Sequence, residues 1–182
     1  MTRDDWTDLS LKLLGEQGPE ALTVDAVCDA AGRTRGSLYH HFNDMEALLA
    51  GILERWRVLH TEHLIEVLES ATPHAEGQPY RLNSLAFALD YGIERNVRRL
   101  IARRPALRHF VAEVDTRRTE YVSELMQRGV GVDPVQAELL AHVVYAAWIG
   151  FQHLEPEPDQ ARLALLYQSF AQIVQESLSK HG

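Results

Sequence analysis

The sequence predicts an all-α protein in which an N-terminal three-helix head, containing a helix-turn-helix, precedes a C-terminal helical bundle. Apolar residues recur along most of the chain at spacings of three and four, the period of an amphipathic helix. No sustained alternation of apolar and polar residues bounded by hairpin turns indicates a strand. We place the head at residues 1–43 and the bundle at residues 44–182, with a long helix over residues 44–69 linking the two.

Two short helices joined by a glycine turn are predicted within the head. Thr23 caps the first helix with its hydroxyl, and Gly32 ends it because glycine adopts a left-handed backbone without steric penalty. Thr34 caps the second helix, which buries Leu38 and Phe42 and turns its other side outward. This pattern is typical of a helix-turn-helix that reads DNA. The side chains predicted to contact DNA are Thr23, Arg33, Thr34, Arg35, Ser37, Tyr39, His40 and His41.

These outward side chains are expected to contact different parts of the DNA. Arg35, Ser37 and His40 are predicted to lie nearest the base edges, whereas Tyr39 and His41 chiefly contact phosphates. Phosphate contacts position a protein on the duplex, and base contacts specify the sequence.

A larger set of residues in the head falls in the order and spacing of a known family. The set is Trp6, Ser10, Leu13, Leu14, Gly18, Thr23, Val27, Ala31, Gly32, Ser37, Leu38, Tyr39, His41, Phe42, Glu46 and Leu48. In these positions the chain resembles the TetR family of bacterial transcriptional regulators, over about residues 6–53. The resemblance implies a regulator, a repressor, that binds a double-stranded palindromic operator as a homodimer and is released by a small-molecule ligand.

Three features depart from the family pattern. Arg33 stands where a small apolar residue is usual, and Met45 stands where the family usually has a lysine that contacts a phosphate. Residues 1–50 also carry four basic and nine acidic side chains, whereas a DNA-binding module is expected to be basic. The alternative hypothesis is therefore a helical ligand- or partner-binding dimer that has lost its affinity for DNA.

The middle of the chain is also predicted to be helical. Asn43 or Asp44 caps the linking helix, and a loop with three breaker residues follows it at residues 71–79. A further helix is expected to end near Asn96, and a short one is expected at residues 97–103. Pro105 then opens a long helix that runs to Gly129.

The last two helices carry the prediction of a homodimer. Residues 137–154 are apolar on almost every side, and such a helix must be covered on every side. After Pro156 and Pro158, a helix from about residue 160 to residue 178 presents one broad apolar stripe. We expect a four-helix interface across a two-fold axis, which would set two recognition helices in successive major grooves. The alternative is a self-contained bundle.

A ligand cavity is predicted among the middle helices, where aromatic rings and some polar groups would come together. The alternative for each of these side chains is an ordinary place in the core. The predicted lining residues are Trp56, His60, His63, Phe87, Tyr91, Phe110, Tyr121, His142, Tyr145 and Trp148.

Two further patterns have ready structural explanations. His60 and His63 have a spacing that can bind a metal, but no nearby acid or cysteine in the sequence completes a tetrahedral set, so no metal is predicted. Six arginines lie within residues 95–108. This run would suit an acidic ligand, but a solvated face paired with Glu94 and Glu113 is the favoured interpretation.

Composition limits the remaining classes of function. The chain has 182 residues, a net charge of −8 and one cysteine, Cys28, which we assign to the core. We expect a cytoplasmic protein, since no apolar run approaches a membrane span and the N-terminus lacks the apolar core of a secretion signal. No nucleophile elbow, phosphate-cradling glycine loop or buried acid pair indicates an enzyme, and no cofactor is expected.

Overall fold

The computed structural model describes residues 1–71, 82, 89–154 and 160–179, and the predicted all-α fold is confirmed. No strand occurs among these residues. The predicted loop at residues 71–79, the prolines at 156 and 158, and Phe87 lie outside them, apart from Ala71 itself. The helices are α1 (Arg3–Gln17), α2 (Val24–Ala31), α3 (Arg35–Tyr39), α4 (Met45–Arg57), α5 (His63–Ala71), α6 (Tyr91–Arg103), α7 (Arg108–Val130), α8 (Pro134–Leu154) and α9 (Gln160–Ser179).

The helix-turn-helix has the caps that the sequence predicts. The Thr23 hydroxyl accepts a hydrogen bond from the backbone N–H of Ala26 at 3.2 Å, which caps α2. Gly32 follows α2 with φ +60° and ψ +38°, a left-handed conformation that a side chain would strain. The Thr34 hydroxyl accepts from the backbone N–H of Ser37 at 3.3 Å and caps α3.

The core of the head fixes α3 against its neighbours. Leu38 and Phe42 are buried in one cluster with Trp6, Leu14 and residues of α2 and α4. A Cβ added at Gly51 would lie 3.1 Å from the Phe42 ring, so the glycine lets that ring pack against the backbone of α4. The end of the helix-turn-helix is thereby packed against the start of the linking helix.

The chain is helical from residue 45 to residue 71, where a linking helix is predicted over residues 44–69, but the helix is not uniform. Asp44 caps α4 by accepting a hydrogen bond from the N–H of Ala47 at 2.7 Å. A π-helical turn at Val58–Glu62 joins α4 to α5. No spacing of residues along the chain predicts this turn, and such turns occur often at functional sites.

The predicted break between Asn96 and Val97 is wrong, because α6 is continuous from residue 91 to residue 103. The Asn96 amide does not interrupt its own helix. Instead it donates to the carbonyls of Leu14 and Gly15, at 2.9 and 3.1 Å. A Cβ on Gly15 would lie 2.6 Å from Ile93, so α1 and α6 approach each other closely at this glycine.

Contacts divide the chain into two compact units, one with the described residues of Met1–Pro73 and Leu89–Arg118, the other with the described residues from Thr119 onward. The second unit holds the end of α7 together with α8 and α9. On α8, the buried residues Ala137, Ala141, Trp148 and Gln152 form one narrow stripe. None of the helices in the described part of the chain combines the length and the apolar character that a membrane span requires.

Candidate functional site

The outer face of the helix-turn-helix presents the side chains that were predicted to contact DNA. Arg35, Tyr39 and His40 are exposed, whereas Leu38 between them is buried. Ser37 and His41 are half-buried, and the rings of His40 and His41 lie edge to face with centroids 5.1 Å apart. We call this face the reading surface; it consists of Arg33, Arg35, Ser37, Tyr39, His40 and His41.

Thr23 and Thr34 have a structural role in addition to any contact with DNA. Each hydroxyl accepts a backbone N–H at the start of a helix, as described above. A hydroxyl retains its own proton as a donor while it accepts, so capping leaves each group able to donate to a phosphate. Contact of either residue with DNA stays a prediction.

Arg35 is held by a carboxylate on the neighbouring helix. Its Nε and Nη2 donate to the two oxygens of Asp25 at 2.6 Å each. Asp25 lies in the first turn of α2, and Arg35 is the first residue of α3. The ion pair spans the turn and is exposed, with side-chain exposures of 66% for Arg35 and 60% for Asp25.

The excess of acids in the head is balanced locally by arginines from later helices. Asp8 pairs with Arg55 of α4, at the side of α1. Glu20 pairs with Arg99 and Arg103 of α6, and Glu46 pairs with Arg104, which follows α6. These arginines belong largely to the basic run, whose partners include Glu20, Glu46 and Asp115. The predicted place of Glu94 on a solvated face with this run is wrong, because Glu94 is buried and pairs with Arg118, while the pairing of the run with Glu113 stays a prediction.

A buried ionic cluster lies beside the π-helical turn of the linking helix. The Glu94 carboxylate is fully buried and accepts hydrogen bonds at 2.9 Å from Nη1 and Nη2 of Arg118. It also accepts from Trp56 Nε1 at 2.9 Å and from His60 Nδ1 at 3.1 Å. The His60 Nδ1 carries the proton in this contact because an ionised carboxylate only accepts.

Arg118 binds the π-helical turn directly. Its Nη2 donates to the carbonyl of His60 at 3.0 Å and its Nε donates to the hydroxyl of Thr61 at 2.9 Å. The guanidinium also lies over the ring of Trp56, 5.1 Å from the centroid. Arg118 therefore links α7 to two consecutive residues of the turn and to α4. We call Trp56, His60, Thr61, Glu94 and Arg118 the buried cluster.

The charge of Glu94 is stabilised by these partners. Burial by itself would raise the pKa of the Glu94 carboxyl, but the charge of Arg118 and the hydrogen bonds from His60 and Arg118 hold the pKa well below its usual range. Glu94 is thus ionised in the folded protein at neutral pH. Removal of the Arg118 charge would leave the buried Glu94 carboxylate without the counter-charge that stabilises it.

The predicted ligand residues are distributed over both units. In the first unit, Trp56 and His60 meet in the buried cluster, and Tyr91 is buried with a hydroxyl that has no partner in the described part of the chain. His63 lies on the outside of α5, so His60 and His63 do not share a site. Phe110 is half-buried against the core. The second unit holds Tyr121, His142, Tyr145 and Trp148.

Within the second unit, the rings of Tyr145 and Trp148 are stacked with centroids 5.8 Å apart, while His142 is exposed. Among the described residues, no three His, Cys, Asp or Glu side chains come together as a metal site.

Sequence reasoning missed the two charged members of the buried cluster. Glu94 was assigned to a solvated face, and Arg118 was not singled out. The two residues are 24 positions apart on different helices, and each lies in a helix rich in charged side chains. Arg118 is recognised as the partner of Glu94 only once Glu94 is known to be buried, which the sequence does not show. No local signal in the sequence could therefore have identified the two residues.

Known proteins share both the head and the fold. Residues 7–52 match the family model described as bacterial regulatory proteins, tetR family. Over 51 residues the chain is 43% identical to the HTH-type transcriptional repressor KstR2 of Rhodococcus jostii, a match that spans 28% of this chain and only 25% of that protein. It is 25% identical over 167 residues to KstR2 of Mycolicibacterium smegmatis, covering 85% of this chain and 80% of that one.

The fold extends over the whole length of solved relatives. The structure of a TetR-family transcriptional regulator from Rhodococcus sp. superposes with a TM-score of 0.74 at 18% identity, covering 94% of this chain and 97% of that one. Residues 7–52 therefore belong to the DNA-binding domain of the TetR family of bacterial regulatory proteins. Regulators of this family bind DNA and small molecules and act as dimers.

Glu94→Gln tests the buried cluster. This change keeps the shape of the side chain but removes the buried charge that pairs with Arg118, so we expect the free energy of unfolding to fall by about 3–5 kcal/mol. The matched control is Glu54→Gln, which breaks the partly exposed pair with Arg57 and should cost less than about 1 kcal/mol. Urea denaturation at pH 7 measures both. Equal losses in the two variants would contradict the account.

The stability of the parent relative to Glu94→Gln should also depend on pH. The pKa of Glu94 is lower in the folded chain than in the unfolded chain, where a glutamate has a pKa of about 4.3. The stabilisation is therefore complete above that pH and is lost as the pH falls below it. The difference in stability between the parent and Glu94→Gln should narrow as the pH is lowered from about 5 to 3. A difference that stays constant would mean that the carboxyl is already protonated.

Proposed function

We propose that the protein is a transcriptional repressor that binds a palindromic operator as a homodimer and is released from it by a small-molecule ligand. The reading surface carries this proposal. It combines an exposed arginine, tyrosine and histidine on a helix whose opposite side is anchored by Leu38 and Phe42. Arginine and histidine donors suit base edges and phosphates, and the burial behind them holds their positions on the duplex.

The acidic composition of the head weighs less against DNA binding once the ion pairs are considered. Several of its acids serve as helix caps or pair with arginines of α4 and α6, as Asp8 and Glu20 do, so part of the negative charge is neutralised locally. Met45 is the first residue of α4 and packs, half-buried, against the core of the head, so it supplies no charge for a phosphate. The alternative of a dimer that has lost its affinity for DNA rests on Met45 and on the acidic composition of residues 1–50, and a DNA-binding measurement decides between the two hypotheses.

A gel shift with DNA from upstream of the protein's own gene tests the reading surface. Arg35→Ala and Tyr39→Ala should abolish the specific shift and leave the circular dichroism spectrum unchanged, because both side chains are exposed. Lys12→Ala is the control, since it removes an exposed charge from α1 outside the reading surface. Binding by either test variant as tight as that of the parent would show that the assignment is wrong.

Dimerisation through α8 and α9 is proposed from their exposed apolar side chains. Val135, Leu139 and Val143 follow one another at spacings of four on α8, and all three are more than half exposed. On α9, Leu165 and Ile173 are exposed to a similar degree. A patch of this kind on a single chain is typical of a surface that a partner covers.

We expect the parent to have twice the mass of one chain by light scattering at micromolar concentration. Leu139→Glu combined with Val143→Glu should yield a monomer, because the partner helix would bury two charges without counter-ions. Gln168→Glu adds a charge at an exposed polar position of α9 and should remain a dimer. A monomeric parent would favour the self-contained bundle and contradict the proposal.

Release by a ligand is proposed to act through the linking helix. Its first turn packs against the head, and its π-helical turn binds Arg118 and Glu94. A ligand seated near Trp56 and His60 would tilt this helix as a rigid body and change the distance between two heads. A swing from mostly bound to mostly released requires about 5.5 kcal/mol of differential affinity. Each apolar group buried by the ligand supplies about 1.5–3 kcal/mol of that difference.

Compounds that raise the melting temperature of the protein and also release DNA are the probes for this switch. Trp56→Phe removes the indole N–H that binds Glu94, and Phe110→Ala removes a half-buried ring. Both should raise the compound concentration needed for release while operator affinity stays near that of the parent. Leu163→Ala, a core change in α9, controls for lost stability. An unchanged release concentration in both variants would place the ligand elsewhere.

A further inference from the structure

The contact between Asp25 and Arg35 leaves part of the arginine unused. The carboxylate binds the side of the guanidinium through Nε and one hydrogen of Nη2, in two parallel bonds of 2.6 Å. A guanidinium has five N–H donors in a fixed planar fork. The two hydrogens of Nη1 and the second hydrogen of Nη2 remain at the end of the side chain.

That remaining edge matches one base. Arginine contacts guanine through two parallel hydrogen bonds to O6 and N7 in the major groove, which is the commonest specific contact between a protein and DNA. The end edge of a guanidinium presents donors on Nη1 and Nη2 with the spacing that these two acceptors require. Arg35 is the first residue of α3, and the N-terminal residues of a recognition helix are those that contact base edges.

Asp25 also restricts what else Arg35 can do. An unpaired arginine at an exposed position has many rotamers and can turn to a phosphate as readily as to a base. The carboxylate fixes the plane of the guanidinium across the turn, and its negative charge disfavours a phosphate oxygen at the same place. An acid beside the reading surface therefore lowers general affinity for DNA while it favours one base.

We propose that Asp25 is a specificity-determining residue that positions Arg35 to read guanine. The inference rests on the proposed function, because it has meaning only if α3 enters the major groove. Under this proposal Asp25 contributes to the recognition of the DNA sequence, in addition to its place in the first turn of α2.

Selection of binding sites from a randomised DNA duplex library tests this role. The parent should enrich sequences with guanine at two symmetry-related positions, and Arg35→Ala should lose that preference. Asp25→Ala should bind random DNA at least as well as the parent but show a preference for guanine about tenfold weaker, which lies within the range for one bidentate contact. Asp25→Asn, whose amide oxygen accepts one of the two bonds, should show a preference for guanine between that of the parent and that of Asp25→Ala.

Asp29→Ala is the matched control. Asp29 is an exposed acid on the same helix, and it forms no ion pair within the described ranges of the chain. Its removal changes the charge of α2 by the same amount, so affinity for random DNA should rise similarly while the preference for guanine stays at the parental level. If Asp25→Ala keeps the parental preference for guanine, as Asp29→Ala is expected to do, the inference is overturned. If the parent itself enriches no sequence, the proposed function fails as well, so the two failures are distinguishable.

Discussion

The position of the recognition helix depends on the packing of Leu38 and Phe42. A helix of five residues has too few hydrogen bonds to hold itself, so α3 persists only because other parts of the chain fix it. The Thr34 cap satisfies its first turn, and the core of the head buries its inner side. Gly51 allows the Phe42 ring to lie directly on α4, so any movement of α4 is transmitted to the reading surface.

The linking helix is held by two kinds of interaction. Near its start the contacts are apolar and tolerate small adjustments, whereas at the π-helical turn they are buried and ionic. A buried ion pair is exacting in its geometry because each charge depends on the other. The His60 carbonyl lies within this turn and accepts from Arg118, so the irregular backbone and the buried charge belong to the same arrangement. This is where a bound ligand would have the greatest effect on α4.

Local features of the head could be predicted from the sequence, and long-range ones could not. Thr23, Thr34 and Gly32 act within a few residues of themselves, so residue type and spacing are sufficient to predict their roles. A helix was predicted to end near Asn96, yet α6 continues through it and its amide binds the backbone of α1. The pairing of Glu94 with Arg118 depends on how three helices meet, and no spacing along the chain records that. The bond from Arg35 to Asp25 is a similar case, since it crosses the turn between two helices.

Hydroxyl-radical footprinting on the DNA that the protein selects tests the central claim most directly, namely that two copies of this head read successive turns of one duplex. The account predicts two protected stretches on the same face of the DNA, with centres about 10–10.5 base pairs apart or a multiple of that distance. The base sequence of the two stretches should be related by two-fold symmetry. A single protected stretch, or protection without any fixed position, would contradict the account.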